Sequence, residues 1–205
     1  MWLRITNVLS FIFPPSEDEV CVTSYTKHTF QKMYSLRKVD DTYALSSFKE
    51  TPVRAAIHLN KFHNHTHAQK LLAVLLEIFL ENRASTEEAL LIPIPLSGKR
   101  ERERGHNQVT SVIQSTLFSK EKFTLETTLL VKVKDTKPQT SLDRVKRKQN
   151  PEGAYIYTKN ARTKVPGAHI ILIDDVMTTG ATLKEAMGTL EKLKPASIIC
   201  VALAH

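Results

Sequence analysis

The sequence feature that most constrains the fold is an apolar run that ends in two adjacent aspartates. Residues 169–173 read His-Ile-Ile-Leu-Ile, and Asp174 and Asp175 follow directly. A continuous apolar run of this length predicts a strand that is buried on both faces. A turn of small residues, a segment of helical spacing and a second apolar run over 197–203 come next. This strand–helix–strand order predicts an α/β fold with a mostly parallel sheet flanked by helices.

The residues after this strand indicate a ligand that carries both hydroxyl and phosphate groups. If the strand ends at Ile173, Asp174 and Asp175 are free to accept hydrogen bonds from vicinal hydroxyls, as a ribose offers. Backbone N–H groups at a helix start, with threonine hydroxyls and a permissive glycine, form a cradle for phosphate. The predicted cradle residues are Thr178, Thr179, Gly180, Ala181 and Thr182. The alternative is an ordinary strand-to-helix loop with an aspartate cap, but diol acceptors beside a cradle favour a ribose 5-phosphate site.

Residues 170–182 resemble the phosphoribosyl pyrophosphate signature of the type I phosphoribosyltransferases. The resemblance implies that Asp174 and Asp175 hold the ribose hydroxyls and that residues 178–182 hold the 5-phosphate. It also implies a type I phosphoribosyltransferase-like fold with a small N-terminal hood. Mg²⁺ would be carried with phosphoribosyl pyrophosphate and held mainly by substrate and water. The ligand is expected beyond the carboxyl ends of the parallel strands.

A basic turn after a second apolar run points to one family within this group. Residues 90–95 predict a short buried strand, and the turn after it lies at the same rim of the sheet as the aspartates. Strand and turn together are similar to the ComF family, whose pattern runs P-x-P-L and then R-x-x-x-R-G-F-N-Q. The matching residues here are Pro93, Pro95, Leu96, Arg100, Arg104, Gly105, Asn107 and Gln108, with His106 at the usual phenylalanine position.

The basic turn also offers the charge that a pyrophosphate leaving group needs. Arginine supplies a fixed positive charge and paired N–H donors. We therefore expect Arg100 and Arg104 to stabilise the leaving group. Further substrate contacts are expected from Ser97, Lys99, Asn107 and Gln108. The alternative is a run of alternating charges on a solvated helix start.

The segment 131–148 carries seven basic and two acidic side chains. Its Gln139, with Gly153, Ala154 and Tyr155 beyond it, resembles the T-x-x-Q-x-x-L and G-A-F stretches of the ComF family. In type I enzymes a loop in this region closes over the active site, which would exclude water from a cationic intermediate. We expect Gln139 to bind substrate, and a plain surface loop with scattered lysines is the alternative.

The N-terminal part of the chain is the hardest to interpret. The domain prediction divides the chain into an N-terminal arm or hood over 1–50 and a phosphoribosyltransferase-like domain over 51–205. Residues 9–15 resemble the L-x-F-P-P start of ComF proteins, which normally leads into a four-cysteine zinc ribbon. Only Cys21 is present here, and Ser24 stands where its partner would lie, so we expect no zinc.

Two further features concern the environment of the chain. The uncharged stretch 5–16 has twelve residues, whereas a bilayer span takes about 20, so we expect no membrane insertion. The two cysteines are far apart and form no CxxC pair, which fits a cytoplasmic protein. The formal charge of +8 favours anionic partners without choosing among them.

The favoured function is transfer of a phosphoribosyl group from phosphoribosyl pyrophosphate to an unidentified nitrogen acceptor, with release of pyrophosphate. A homodimer is left open. One alternative is a non-catalytic phosphoribosyl pyrophosphate-binding protein that serves the DNA-uptake machinery, because the ComF family is associated with competence. A DNA-binding module that uses the basic loops is a second alternative, although those loops have little aromatic interleaving for base stacking. A phosphoribosyl pyrophosphate synthetase is a third, although its two-domain architecture should need a longer chain.

Overall fold

The computed structural model describes residues 15–82, 88–117, 122–133 and 153–205. The strands are β1 (Arg37–Val39), β2 (Thr42–Ala44), β3 (Ala89–Pro93), β4 (Phe123–Leu125), β5 (Leu130–Lys132), β6 (Tyr155–Tyr157), β7 (His169–Val176) and β8 (Ser197–Ala204). The α-helices are α1 (Glu17–Thr23), α2 (Lys27–Phe30), α3 (Thr51–His63), α4 (Thr66–Asn82), α5 (Gly98–Arg104), α6 (Gln108–Gln114), α7 (Ala161–Lys164) and α8 (Ala181–Glu191). A short 3₁₀ helix, Gln31–Met33, follows α2.

Six of these strands form one sheet in the order β1-β2-β8-β7-β3-β4. Strands β2, β8, β7, β3 and β4 are parallel to their neighbours, and β1 at the edge runs antiparallel to β2. Strands β5 and β6 pair as a separate antiparallel ribbon. The predicted α/β class with a mostly parallel sheet is therefore confirmed. Parallel pairing brings the carboxyl ends of β3 and β7 to one edge of the sheet.

Helices cover both faces of the sheet, which is why the run in β7 is apolar throughout. Ile171 and Ile173 belong to the core cluster that includes α3, α4 and α6. Ile170 and Leu172 belong to the cluster formed with α7, α8 and the β5–β6 ribbon. Successive strand residues point to opposite faces, so one strand contributes to both clusters. The domain is a three-layer α/β sandwich with a core on each side of the sheet.

Hydrophobic spacing located the two long helices well. The spacing of apolar residues predicts helices over 66–82 and 53–62, and both are observed, the first as α4 and the second as α3 with slightly wider bounds. The sequence also predicts strands over 90–95, 128–133 and 154–157, and these are observed as β3, β5 and β6, each shorter than predicted. The periodicity of apolar residues is thus a better guide to the presence of an element than to its ends.

One predicted strand end is wrong. β7 does not end at Ile173 but continues to Val176. Its neighbour β8 also continues, and Asp174 pairs with Ala202 in the same register. Backbone pairing with an apolar neighbour therefore extends the strand through two polar residues. As a result, Asp174 and Asp175 leave β7 from opposite faces of the sheet.

The region 15–50 shares the sheet and core of the rest of the chain. β2 pairs with β8, and the Leu45 N–H donates to the Ala202 carbonyl oxygen at 3.0 Å. Val22 and Phe30 are fully buried in the cluster that contains α4. The division of the chain at residue 50 stays a prediction. None of the helices in the described ranges is long and apolar enough to cross a bilayer.

Phe79 on α4 tests the assigned core. It is fully buried and packs against Tyr43 of β2, with ring centroids 5.8 Å apart. Phe79→Ala removes the ring and leaves a cavity, so we expect the free energy of unfolding to fall by about 3–5 kcal/mol in urea denaturation. Leu117→Ala, at a side chain that is 84% exposed, is the control and should change it by less than about 0.5 kcal/mol. A loss below about 1 kcal/mol for Phe79→Ala would contradict this core.

Candidate functional site

A cavity of about 650 Å³ opens where the segments that follow β3 and β7 meet. Its wall includes residues 94–97 after β3 and residues 174–183 at the end of β7 and the start of α8. Further wall residues come from α1, α3, α5 and the β5–β6 ribbon. Ligands of parallel α/β sheets bind beyond the carboxyl ends of the strands. This cavity is therefore the candidate site.

Asp175 is held on the side of α3 and α6. It is 8% exposed, and its Oδ2 accepts a hydrogen bond of 3.0 Å from Gln108 Nε2. Lys61 Nζ lies 4.0 Å from the same oxygen. Its Oδ1 accepts from the Val176 backbone N–H at 2.8 Å. Two side chains and one backbone group thus fix the orientation of this carboxylate.

The Asp174 side chain leaves β7 on the other face, and neighbouring groups compensate its negative charge less well. Its Oδ1 accepts a hydrogen bond of 2.8 Å from the Asp175 backbone N–H. Burial, and then the negative charge of Asp175, raise the pKa of Asp174 above its usual value. Lys132 opposes this shift without cancelling it. A carboxyl group in such a state is one that a bound cation would stabilise.

Gln108 connects Asp175 to an arginine of the basic turn. Its Oε1 accepts a hydrogen bond of 3.0 Å from Arg104 Nη1, while its Nε2 donates to Asp175. Partial burial lowers the pKa of Arg104, and the charge of Asp175 acts in the opposite direction. Asn60 of α3 donates from Nδ2 to the Gln108 carbonyl oxygen at 2.9 Å. These hydrogen bonds hold one cationic and one anionic side chain at the same wall.

His106 links the basic turn to α3 in place of the usual phenylalanine. Its Nδ1 lies 2.9 Å from the Arg104 carbonyl oxygen, and its Nε2 lies 2.9 Å from the Asn60 carbonyl oxygen. A neutral imidazole has one N–H and donates to only one of these oxygens, whereas a protonated ring donates to both. This chain therefore uses a polar link at a position where the family pattern has an apolar ring.

The turn over 177–180 carries the chain from β7 into α8. Gly180 precedes α8 with φ of +69°, a left-handed conformation that strains any residue with a side chain. A Cβ there would also lie 3.4 Å from Met177 Sδ. The turn sets the start of an eleven-residue helix at the cavity wall, where N–H groups and the helix dipole attract anions. All five predicted cradle residues, 178–182, line the cavity.

The residues predicted on the basic turn divide into two groups. Those that line the cavity are Ser97, Arg100, Arg104 and Gln108. Ser97 also caps α5, because its Oγ accepts from the Arg100 backbone N–H at 3.4 Å. The start of α5 thus depends on a residue of the cavity wall.

Lys99 and Asn107 form the second group and do not line the cavity. The Lys99 side chain is 68% exposed, and its Nζ lies 3.9 Å from Glu103 Oε1. Asn107 caps α6, since its Oδ1 accepts from two backbone N–H groups, and its Nδ2 donates to the Ile94 carbonyl oxygen. Asn107 therefore fixes the path of the basic turn instead of forming the cavity wall.

The β5–β6 ribbon contributes two wall residues that the sequence did not assign to the site. Lys132 Nζ lies 5.3 Å from the centroid of the Tyr155 ring. The Tyr155 hydroxyl is buried without a hydrogen-bond partner among the described residues, and burial raises the pKa of Tyr155. A buried hydroxyl at a cavity wall is available to a ligand. The sequence signal for it was a tyrosine at the position of the last residue in the G-A-F stretch.

The sequence also missed the side of the cavity that α1 and α3 form. α3 contributes His58, Lys61 and Phe62, and α1 contributes Asp18. The spacing of three and four residues places the three α3 side chains on one helix face. The sequence signal for Lys61 and Phe62 is that this pair, after an amphipathic helix, resembles the ComF pattern. Nothing in the linear sequence indicates that α1 meets α3 at this cavity.

Two predictions are not tested by the described residues. Gln139 lies outside the described residues, with most of the segment 131–148 around it. Within the described ranges, no group of three or more His, Cys, Asp or Glu side chains is placed to hold a metal ion. The expectation about zinc stays a prediction.

Comparison with known proteins decides the family. A model of the phosphoribosyl transferase domain matches residues 68–205, which is more than half of the chain. The chain belongs to the phosphoribosyltransferase domain family. The match contains the basic turn, β7 and the cradle, whereas α1 and α3 of this phosphoribosyltransferase-like protein precede it.

Two curated relatives narrow the assignment. Over 146 residues the chain is 31% identical to competence protein F of Haemophilus influenzae, covering 69% of this chain and 63% of that protein. Over 138 residues it is 30% identical to DNA utilization protein YhgH of Salmonella typhi, covering 65% of this chain and 59% of that protein. The chain thus spans less than two thirds of the length of either relative. The membership of the ComF family that the sequence predicts is confirmed.

Solved structures show a more distant likeness. A hypoxanthine phosphoribosyltransferase from Staphylococcus aureus is 14% identical, with a TM-score of 0.41, over 65% of this chain and 61% of that one. The family assignment therefore rests on the sequence matches.

Asp174 makes the stability of the protein depend on pH. Its folded-state pKa lies above the unfolded value, so its contribution to stability is complete at low pH and is lost as pH rises through the folded pKa. Asp174→Asn removes that titration. We expect the variant to be more stable than wild type by about 1–3 kcal/mol at high pH and by much less near pH 4, in urea denaturation at both values.

The control for this prediction is Glu81→Gln, at an exposed carboxylate on α4. It should change the free energy of unfolding by less than about 0.5 kcal/mol at either pH. An Asp174→Asn variant that is less stable than wild type at high pH would contradict this prediction, because it would show that neighbouring groups fully compensate the negative charge of Asp174.

Proposed function

We propose that this protein binds phosphoribosyl pyrophosphate with Mg²⁺ and transfers the phosphoribosyl group to a nitrogen acceptor, releasing pyrophosphate. The observation that carries the proposal is the meeting of two chemically different walls in one cavity. Carboxylates Asp174 and Asp175 form one wall, and the turn over 178–182 at the start of α8 forms the other. Membership of the phosphoribosyltransferase family supports the same substrate.

The ribose and its 5-phosphate account for these two walls. Carboxylate oxygens accept hydrogen bonds from vicinal hydroxyls, and a helix start with a permissive glycine binds phosphate. The buried Tyr155 hydroxyl offers an additional donor. A ligand with neutral hydroxyls only would leave the α8 start unused, and a simple phosphate would leave the two carboxylates beside an anion. A ribose phosphate satisfies both.

Mg²⁺ fits the acidic wall. The raised pKa of Asp174 reflects a carboxyl group whose negative charge lacks full compensation, and a divalent cation would supply it. Asp174 and Asp175 would hold the ion mainly through water and substrate oxygens, as Mg²⁺ prefers. When bound, the ion would neutralise negative charge on the pyrophosphate.

In the proposed reaction, the bond between C1 of the ribose and the pyrophosphate oxygen breaks, and its electron pair leaves with pyrophosphate. Arg100 and Arg104 line the cavity and would stabilise that charge. The lone pair of the acceptor nitrogen forms the new bond to C1. The nitrogen then loses a proton to a base. Asp175, fixed by Gln108 and Lys61, would orient the ribose together with Asp174 for this displacement.

A second function is favoured by the names of the relatives. One is a competence protein and the other a DNA utilization protein. A non-catalytic protein that binds phosphoribosyl pyrophosphate and serves a DNA-uptake machinery would keep the same cavity. The discriminating measurement is turnover, because such a protein binds the ligand without consuming it.

A cytoplasmic location and a homodimer stay predictions.

The first test is binding of phosphoribosyl pyrophosphate with Mg²⁺, measured by calorimetry. The double variant Asp174→Asn, Asp175→Asn removes both carboxylates while preserving side-chain size. We expect it to weaken binding more than about 100-fold, because two charged contacts are lost. Thermal unfolding of the variant checks that it is folded. Absence of binding by folded wild type would overturn the proposed function.

The second test uses two basic residues one position apart. Arg100 lines the cavity, whereas Lys99 is exposed and pairs with Glu103. We expect Arg100→Gln to weaken binding of phosphoribosyl pyrophosphate about 10–100-fold, because a charge-assisted contact is lost. Lys99→Gln removes the same charge and should change the dissociation constant less than about twofold. Equal effects would show that only the overall field of the basic turn matters.

A further inference from the structure

We propose that Asp18 and His58 form the general base that takes the proton from the acceptor nitrogen. This inference rests on the proposed function, and it assigns removal of the acceptor proton, the step for which that function names no residue. It also places the acceptor in the half of the cavity between α1 and α3, against Phe62. Both residues line the same cavity as Asp174 and Asp175.

The first observation is the geometry of the pair. His58 Nδ1 lies 2.7 Å from Asp18 Oδ2, across the contact between α3 and α1. When Nδ1–H donates to a carboxylate, the neutral imidazole carries its lone pair on Nε2. That tautomer is ready to accept a proton, and the carboxylate stabilises the imidazolium that results. The side chains are 51% and 38% exposed, so the ring is reachable from the cavity.

The second observation is the position of the pair relative to the acidic wall. His58 and Lys61 are three residues apart on α3 and share one face of that helix. Lys61 Nζ lies 4.0 Å from Asp175 Oδ2, so this helix face turns toward the carboxylate that would orient the ribose. An acceptor between His58 and the ribose would have its nitrogen on the cavity side of α3.

The third observation is an exposed aromatic ring close to both the pair and the basic turn. Phe62 is 58% exposed and lines the cavity. Its ring centroid lies 4.9 Å from that of His58 and 5.7 Å from Arg104 Cζ. An exposed phenylalanine in a cavity wall, close to both the proposed base and a cation of the basic turn, fits a planar acceptor that packs against it.

In this step the acceptor N–H proton moves to His58 Nε2 as the nitrogen lone pair bonds to C1, and the C1–O electron pair leaves with pyrophosphate. The charged groups that line the cavity with the imidazole are Asp18 from α1 and, from α3 itself, Arg54 and Lys61. The His63 ring centroid lies 6.1 Å from that of His58. Arg104 Cζ of α5 lies 5.7 Å from the centroid of the Phe62 ring.

The test compares His58→Gln and Asp18→Asn with wild type in two separate measurements. The first is binding of phosphoribosyl pyrophosphate with Mg²⁺ by calorimetry. The second is release of pyrophosphate with adenine, guanine, hypoxanthine, xanthine or uracil as the planar acceptor. We expect His58→Gln to lower kcat about 10²–10⁴-fold and Asp18→Asn about 10–100-fold, with dissociation constants for phosphoribosyl pyrophosphate within about twofold of wild type.

The pH profile separates a base from a merely structural histidine. The wild-type rate should fall as the pH decreases through the imidazole titration, because a protonated ring accepts no proton. The residual rate of His58→Gln should lack that fall. His63→Gln is the matched control, since His63 lies on the same helix with its ring centroid 6.1 Å from that of His58 and does not line the cavity. It should leave rate and binding unchanged.

The outcomes distinguish this inference from the proposed function. Failure of wild type to bind phosphoribosyl pyrophosphate overturns both. If wild type binds phosphoribosyl pyrophosphate but releases no pyrophosphate with each of the five acceptors, the inference is overturned and the non-catalytic alternative is favoured. Turnover that is unchanged in His58→Gln, or lowered only through weaker binding, overturns the inference and leaves the transferase function standing.

Discussion

The site depends on two adjacent carboxylates held in the last residues of a central parallel strand. β7 continues past its apolar run because β8 continues beside it, so Asp174 and Asp175 leave from opposite faces. Lys61 and Gln108, which lie in one helical layer, stabilise the negative charge of Asp175. Asp174 faces the other layer, where burial and the neighbouring charge raise its pKa. A strand end built in this way is stable only at some cost in free energy, and a bound cation would remove that cost.

A set of hydrogen bonds joins α3 to the phosphoribosyl side of the cavity. Asn60 of α3 reaches the backbone of Gln108, and His106 reaches the backbone of Asn60 in return. Gln108 in turn contacts Arg104 and Asp175. The helix that carries the proposed base is thus fixed to the turn that carries the leaving-group cations. A shift of α3 would therefore move both halves of the cavity together.

The sequence predicted what is local and missed what is made by packing. The apolar runs and the helical spacing of 66–82 follow from side-chain period alone, and they located the sheet, α4 and the rim of the site. The predicted end of β7 was wrong, because the length of the strand is set there by its neighbour β8 and not by the polarity of Asp174. His58 and Asp18 could not be paired from sequence, because they are forty positions apart and only the contact of two helices brings them together.

The family motif also has a structural function, which limits what it indicates about activity. Ser97 caps α5, and Asn107 caps α6 while tying the turn to the Ile94 carbonyl oxygen. A protein that had lost catalysis would still need these residues to form the basic turn. Under the proposed function, a transferase and a binding protein that share this motif would differ on the acceptor side, which we place where α1 and α3 meet. That part of the cavity lies outside the family match, which begins at residue 68.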